Sequence, residues 1–395
     1  MDNRDRGGTG MIDKSYSFEQ GPIRPPSEAG SLLIRVTRNC PWNKCAFCRT
    51  YKGKKFSRRS LDEIKADIDA ARAVSEEIKQ MSWRAGDGGQ LTRRVLTTIV
   101  QNPSLPDSFR SVALWIASGG DSVFLQDANS LLLSTETLIA VLNHIKESFP
   151  HVQRITSYAR AATLKSKSVE QYIQLKEAGL ARLHVGMESG SDNVLKLIDK
   201  GARADQVIEG GKNVVAAGIS LCLYVIPGIG GVNLSEEHAR ETARVINAIN
   251  PAFVRFRSLY VTPRTPLMEM VENGSFRPPD EDSMVREIRT IVENLNGIST
   301  TLVSDHVLNL LEEVEGTLPG DKGRILGIID RYLNLSDDDR LIFQLGRRGG
   351  FVRYLDDLLT NPAVKLRLLE AKRQIEKDLP GGVPAYLAAV KQQYL

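Results

Sequence analysis

The sequence predicts an α/β fold in which six short apolar strands alternate with helices, followed by a mostly helical C-terminal region. Apolar runs over 32–36, 122–126, 153–158, 181–187, 219–226 and 253–259 read as strands. Segments of helical period separate them, which is the pattern of parallel βαβ units. Beyond Thr265-Pro266 the strand signals stop. Right-handed crossovers then give either an open doubly wound sheet or a barrel, and six units are two short of a complete eight-fold barrel.

The first strand runs straight into a loop holding three of the four cysteines, Cys40, Cys45 and Cys48, in a C-x4-C-x2-C spacing. Ser60 and Glu63 then form a capping box for a helix whose apolar positions Ile64, Ile68, Ala71 and Ile78 recur up to about residue 81. The rhythm breaks over about 82–112, read as an insertion in the first βα unit with a helical piece over 91–100. Its Gly86-Asp87-Gly88-Gly89 stretch is no phosphate loop, because no strand precedes it and no Gly-Lys-Ser/Thr follows. Helices are expected over 134–149, 168–178, 191–198, 205–217 and 235–249 between the strands. Six more are expected over 281–295, 304–314, 321–333, 337–345, 351–359 and 364–379. The domain reading is therefore an N-terminal tail over 1–31, an α/β unit over 32–270 and a helical region over 271–395.

Size and composition bound the classes of function. At 395 residues the chain exceeds one average domain, and its 42% apolar and 25% charged fractions are those of a soluble globular protein. No apolar run approaches a membrane span, and the polar, Gly/Pro-punctuated start lacks the pattern of a secretion signal, so the expected compartment is the cytoplasm. A net charge of +4 spread along the chain gives no reason to expect a nucleic-acid partner. The exception is the basic run 49–59, with Tyr51 and Phe56 interleaved. It reads as a solvated loop or as a docking surface for an acidic electron donor or a phosphate-bearing substrate.

Three clustered thiols in a chain otherwise nearly free of cysteine are read as ligands rather than as a disulfide framework. Zinc would require a fourth ligand, and no histidine lies near this loop in sequence. A two-iron ferredoxin-type site uses this spacing with a fourth cysteine, and only Cys222, inside the strand over 219–226, is available. Three cysteines on a four-iron cubane would leave one iron open to a small molecule.

With Phe47 just before the last cysteine and βα repeats behind it, this arrangement resembles the radical S-adenosylmethionine (radical SAM) superfamily. The commoner family spacing is C-x3-C-x2-C, so this chain carries one extra residue between Cys40 and Cys45. The segment from His184 to Gly201 is similar to the fourth-strand segment of the branch that includes coproporphyrinogen dehydrogenases, methylthiotransferases and cobalamin-dependent members. The resemblance spans about residues 32–270. It implies a partial (β/α)6 TIM-like barrel, a 4Fe-4S cluster on Cys40, Cys45 and Cys48, and SAM as second cofactor. It places Glu188 against SAM and Lys200 against the SAM carboxylate.

The same resemblance points to further cofactor-binding positions. Phe124-Leu125-Gln126-Asp127-Ala128-Asn129 stands where family members carry Gly-Gly-Glu, so Asp127 would serve the methionyl amine, with Asn129 a further cofactor-binding position. Ser157 and Arg160 end the third strand, and Gly228 lies in a glycine-rich turn after the fifth, beside the adenine. The implied reaction is reductive cleavage of SAM to methionine and a 5′-deoxyadenosyl radical, which abstracts hydrogen from a small molecule in a cavity closed to water and oxygen. A flavodoxin or ferredoxin-type donor would supply the electron.

Arg255 and Arg257 share one face of the last strand and either bind an anionic substrate there or are salt-bridged beneath the helices. Asp305-His306 is expected to open a helix and receives no catalytic role. The short tail before Leu32 leaves no room for the extra N-terminal domains of methylthiotransferases or cobalamin-dependent members. The expectation is thus a stand-alone barrel acting on an unidentified small molecule, with a coproporphyrinogen-dehydrogenase-like role as one option. A different class of function is an iron-sulfur electron carrier or cofactor chaperone without SAM turnover.

Overall fold

The computed structural model describes residues 16–393, so residues 1–15 of the expected tail lie outside the described residues. Its strands are β1 (Leu32–Arg35), β2 (Thr37–Arg38), β3 (Ser57–Arg58), β4 (Ser122–Gln126), β5 (Arg154–Arg160), β6 (Leu180–Glu188), β7 (Ser220–Val225), β8 (Phe253–Phe256), β9 (Thr301–Val303) and β10 (Gly316–Thr317). One sheet has the order β1-β4-β5-β6-β7-β8-β9-β10, and β2 pairs with β3 in a separate two-stranded ladder. Within the large sheet the pairs β1/β4, β4/β5, β7/β8 and β8/β9 are parallel, and the short β10 runs antiparallel to β9. The α/β class and the six predicted strands are as expected.

Two compact units divide the chain. The first holds the described residues up to 41, 54–158 and 173–182; the second holds 42–53, 159–172 and 183 onward. In the first unit, α1 (Leu61–Arg84) begins with the predicted capping box, and Ile64, Ile68, Ala71 and Ile78 are all buried. Their helical spacing puts them on one face, and α4 (Thr135–Ser148) buries Leu138, Val141, Leu142 and Ile145 in the same unit. Leu32, Ile34, Val123 and Leu125 fill the core from the strands.

The expected insertion is helical. It holds α2 (Arg93–Gln101) and the start of α3 (Asp107–Ala117), which the sequence reading did not recover. Trp115 on α3 is buried, donates to the Ser122 carbonyl at 2.8 Å and meets Phe149 edge-on. The outer surface of α3 seats an N-terminal strap. The Ser108 hydroxyl donates to the Tyr16 carbonyl, the Tyr16 ring lies 5.4 Å from Phe109, and Gln20 donates to Ser111. The fully buried Gln126 then accepts from the Gly21 N–H at 2.7 Å and donates to the Gly21 and Ile23 carbonyls.

In the second unit, Leu183, Val185 and Met187 of β6, Leu221, Leu223 and Val225 of β7, and Val254 and Phe256 of β8 are buried. Residues 184, 186 and 188 take the opposite face of β6 by strand alternation. Helices α7 (Ala204–Ala216), α8 (Ser235–Ile249) and α10 (Glu281–Glu293) bury apolar stripes that include Val207, Ile246 and Ile291.

The C-terminal third departs from its expected pattern. Strand signals do not end at residue 266: β9 adds to β8 with Val303 opposite Arg255. No helix forms over 304–314. Residues 304–311 make a turn in which the Ser304 hydroxyl donates to the Leu311 carbonyl, so Asp305-His306 opens no helix. A three-residue strand is too short to display a period, and the apolar residues of the turn mimic a helical one. Helices α11 (Lys322–Leu333), α12 (Asp337–Arg348) and α14 (Pro362–Asp378) match expectation. The helix expected over 351–359 shrinks to α13 (Leu355–Leu359), and α15 (Gly382–Gln392) is an addition. The buried Arg348 holds this region through Glu281 at 2.9 Å and the carbonyls of Val307 and Leu308.

Gln126→Leu strips the strap of its three buried hydrogen bonds. It is expected to lower stability by about 2 kcal/mol in urea unfolding and to speed limited proteolysis within residues 16–25.

Candidate cofactor site

The short helix α6 (Asp192–Leu197) ends at Ile198 and leaves carbonyls without intrahelical partners. The cysteine loop supplies two of those partners. The Ala46 N–H donates to the Ile198 carbonyl at 2.8 Å, and the Trp42 indole donates to the Asp199 carbonyl at 2.6 Å. Arg160 donates to the Lys200 carbonyl at 2.8 Å and lies over the Trp42 ring, 5.2 Å from its centroid. Gly201 permits this closeness: its φ is +63°, and a Cβ there would stand 2.4 Å from the Trp42 ring.

The loop also holds itself. Asn43 has a left-handed φ of 52°, its side-chain amide donates to the Tyr51 carbonyl, and Lys52 donates to its carbonyl at 3.0 Å. The longer gap before Cys45 therefore contains residues with definite tasks, Trp42 and Asn43. Phe47 packs against an apolar cluster of Ala46, Val194, Ile198, Ile226, Ile229, Leu267 and Phe276.

Across from the loop, β6 ends on Glu188, which adopts a left-handed φ of 67° that a non-glycine residue rarely takes. Its carboxylate meets the Lys200 ammonium at 2.6 Å, and both side chains are nearly buried, at 8% and 7% exposure. The pair folds over Gly186, where a Cβ would stand 2.2 Å from Glu188 Oε1 and 3.1 Å from Lys200 Nζ. Lys200 Nζ lies 5.9 Å from the Phe47 ring. Burial opposes the Lys200 charge, but the Glu188 carboxylate and the Cys45 sulfur outweigh it and hold the ammonium above its ordinary range. Burial pushes the Cys45 thiol up while Lys200 pulls it down.

No disulfide joins any of the four cysteines; Cys45 is buried and Cys48, three residues on, half-buried. Among the described residues no three His, Cys, Asp or Glu side chains converge on one metal-ion position. Thiolates on a cluster each grip a different iron, so such convergence is not required of them. The donor set fits an iron-sulfur group, because soft thiolates select it and the neighbouring ammonium offsets thiolate charge in a buried setting.

The other predicted positions divide between the two units. In the first unit, Asp127 is fully buried and takes Arg35 at 2.7 Å and the Asn39 N–H at 3.1 Å, while Glu19 from the strap bridges Arg35 and Arg38. Burial pushes the Asp127 carboxyl up, and Arg35 pulls it down. Asn129 is buried at the start of a 3-10 turn, and Ser157 donates to the Leu125 carbonyl and the Ser130 hydroxyl. Cys40 is half-buried at the end of the strand-loop segment.

In the second unit, Gly228 has a φ of +89°, and its N–H donates to the buried Glu287 carboxyl. Glu287 also accepts from Ser235 and lies 3.4 Å from the imidazole Nε2 of the buried His238. Burial raises Glu287 to about 7 against its two hydrogen bonds, and lowers His238 to about 3. Arg255 and Arg257 part company: Arg255 is buried and ion-paired with Asp305 at 2.7 Å, whereas Arg257 is exposed.

Sequence reasoning missed Trp42, Arg35 and Glu287. An aromatic inside the widened cysteine gap was the available signal for the first; the other two had none, since Asp127 lies 92 residues from Arg35 and Gly228 lies 59 from Glu287.

Comparison with known proteins gives a match of residues 102–243 to the family model described as the Radical SAM superfamily. An uncharacterized protein of Methanocaldococcus jannaschii is 26% identical over 114 residues, which cover 29% of this chain and 35% of that protein. The chain thus spans about a third of the length of this curated relative. Among solved structures, the archaeal Elp3 of Methanocaldococcus infernus with an N-terminal deletion is 17% identical, with a TM-score of 0.38 and coverage of 47% of this chain and 48% of that one. Methylornithine synthase (PylB) is 12% identical, with a TM-score of 0.42 and coverage of 70% and 66%. The methyltransferase TsrM of Kitasatospora setae, with cobalamin and a [4Fe-4S] cluster bound, is 13% identical, with a TM-score of 0.41 and coverage of 86% and 61%.

Two outcomes follow from this geometry. Gly186→Ala drives a methyl into the Glu188–Lys200 pair and is expected to cost about 2 kcal/mol in chemical unfolding. Glu287 has a folded value raised from 4.5 to about 7, so its contribution is fully present below pH 4.5 and is lost as pH rises through 7. Glu287→Gln is expected to remove that part of the stability decline, measured by urea midpoints between pH 5 and 8.

Proposed function

We propose that this chain, whose residues 102–243 match the model of the Radical SAM superfamily, is an enzyme that binds a 4Fe-4S cluster through Cys40, Cys45 and Cys48 and reductively cleaves SAM to act on a small molecule. When bound, the cluster and SAM supply one-electron cleavage of the sulfonium bond to methionine and a 5′-deoxyadenosyl radical. The observation that carries the reading is the buried Glu188–Lys200 pair beside the cysteine loop, clamped to the backbone on either side of Lys200.

In this reading Lys200 holds the SAM carboxylate and Glu188 accepts from its ribose hydroxyls or ammonium. The left-handed backbone at Glu188 turns its side chain toward Lys200 before any ligand arrives. Asp127 and Asn129 serve the methionyl amine, with Arg35 and the Asn39 N–H orienting the Asp127 carboxylate. Arg160 acts by positioning Lys200 and Trp42, and Ser157 by ordering the segment after β4. Gly228, fixed by Glu287, offers backbone to the adenine, and Phe47 covers the Lys200 side.

Residues 32–270 carry this chemistry and 271–395 contribute to substrate recognition. The exposed Lys44, Arg49, Lys54, Lys55 and Arg58 around and after the cysteines suit an acidic flavodoxin or ferredoxin-type electron donor. Among the described residues no helix is long and apolar enough to cross a membrane.

Anaerobic reconstitution with iron and sulfide, followed by reduction and addition of SAM, is expected to yield 5′-deoxyadenosine. Cys48→Ala should lose the cluster's visible absorption, and Cys222→Ala should keep it because Cys222 is a buried residue of β7. A fully loaded four-iron cluster that leaves SAM intact would instead make the protein an electron carrier.

A further inference from the structure

The C-terminal ends of β8 and β9 are locked together by one buried side chain. Asn309 accepts from the Ser258 N–H at 2.8 Å and from the Ser258 hydroxyl at 3.1 Å, and donates to the Phe256 carbonyl at 2.9 Å. Its own N–H donates to the His306 carbonyl at 2.8 Å, so the turn over 306–309 is fastened against 256–258. The neighbouring Asp305 takes both of its bonds from Arg255. Together these contacts fasten the turn carrying His306 against the segment that carries Arg257, at the strand ends where βα folds place ligands.

The two side chains are equipped to donate. Arg257 is exposed, and among the described residues no carboxylate lies within ion-pair distance of it, whereas Arg255 and Arg348 are each held by an acid. The backbone N–H of Leu308 donates to His306 Nδ1 at 3.2 Å, which leaves the proton of the neutral ring on Nε2. Burial and the charges of Arg257, Arg348 and Arg255 lower His306 to about 4, so the ring is neutral at pH 7. Of these three arginines, Arg257 is thus the one without a carboxylate partner among the described residues.

We propose that Arg257 and His306 form a two-donor subsite, built by Asn309, that takes a carboxylate or phosphate group of the substrate. The inference rests on the enzyme reading for the word substrate only; the binding of an oxyanion stands by itself. Arg255, bound by Asp305, positions the turn and does not contact the ligand. The guanidinium supplies charge and a bidentate fork, and the imidazole Nε2–H adds a directed neutral donor.

The test uses the full chain without cluster or SAM, so failure of SAM cleavage and failure of this subsite are separable. Inorganic phosphate and, in a parallel arm, malonate are titrated at constant ionic strength set with chloride, and the ring nitrogens of the five histidines are followed by NMR. His306→Gln identifies the His306 signal by its loss. The expected result is a saturable shift of that signal with at least one of the two anions, the responding anion defining the substrate group. Arg257→Ala is expected to weaken the response by about tenfold or more. Arg257→Lys should keep part of it, and Arg257→Gln replaces Arg257→Ala if that variant unfolds. A His306 signal that neither anion moves, or one that saturates identically without the Arg257 charge, overturns the proposal.

Discussion

The end of α6 is the constraint on which the candidate site depends. Helix termini leave carbonyls that must be satisfied, and here those of Ile198, Asp199 and Lys200 are taken in turn by Ala46, Trp42 and Arg160. The loop bearing Cys45 and Cys48 is therefore not a free excursion. It is fastened to the segment that carries Lys200 by hydrogen bonds to three successive main-chain carbonyls, which fixes Cys45 and Cys48 relative to the ammonium.

Charge burial runs through the structure in matched sets. Glu188 pairs with Lys200, Asp127 with Arg35, Asp67 with Arg59 and Glu281 with Arg348, each with at least one partner nearly buried. Such pairs contribute little net stability, because desolvation offsets most of their attraction, whereas removal of one partner strands a buried charge. Their value lies in orientation. The Glu188–Lys200 pair, set on a strained backbone over a glycine that leaves room for it, is the clearest case of a local cost retained for geometry.

The C-terminal region does more than cover the sheet with helices. Its first contribution is β9, which extends the parallel ladder and delivers the turn containing Asp305, His306 and Asn309 to the end of β8. The polar groups of Asp305 and Asn309 are consumed in fixing that turn, while Arg257 after β8 is exposed. The strap over 16–25 does a comparable job at β4, where Gln126 converts an irregular segment into an ordered one.

By itself the sequence determined the α/β class, the six strands and the capping box at Ser60, and it showed three cysteines clustered in one loop. Each rests on short-range periodicity or spacing, which neighbouring residues encode completely. It also picked out Glu188 and Lys200, twelve residues apart and joined through one strand end and one short helix. Only the tertiary structure decided that Arg255 is neutralised by Asp305 while Arg257 is not, that 304–311 is a turn beside a three-residue strand, and that Trp42 occupies the widened cysteine gap to reach Asp199. Those outcomes depend on partners from about fifty to more than one hundred and fifty residues away. Long-range pairing is fixed by which groups the packed core leaves without a hydrogen-bond partner, and a linear pattern carries no record of that.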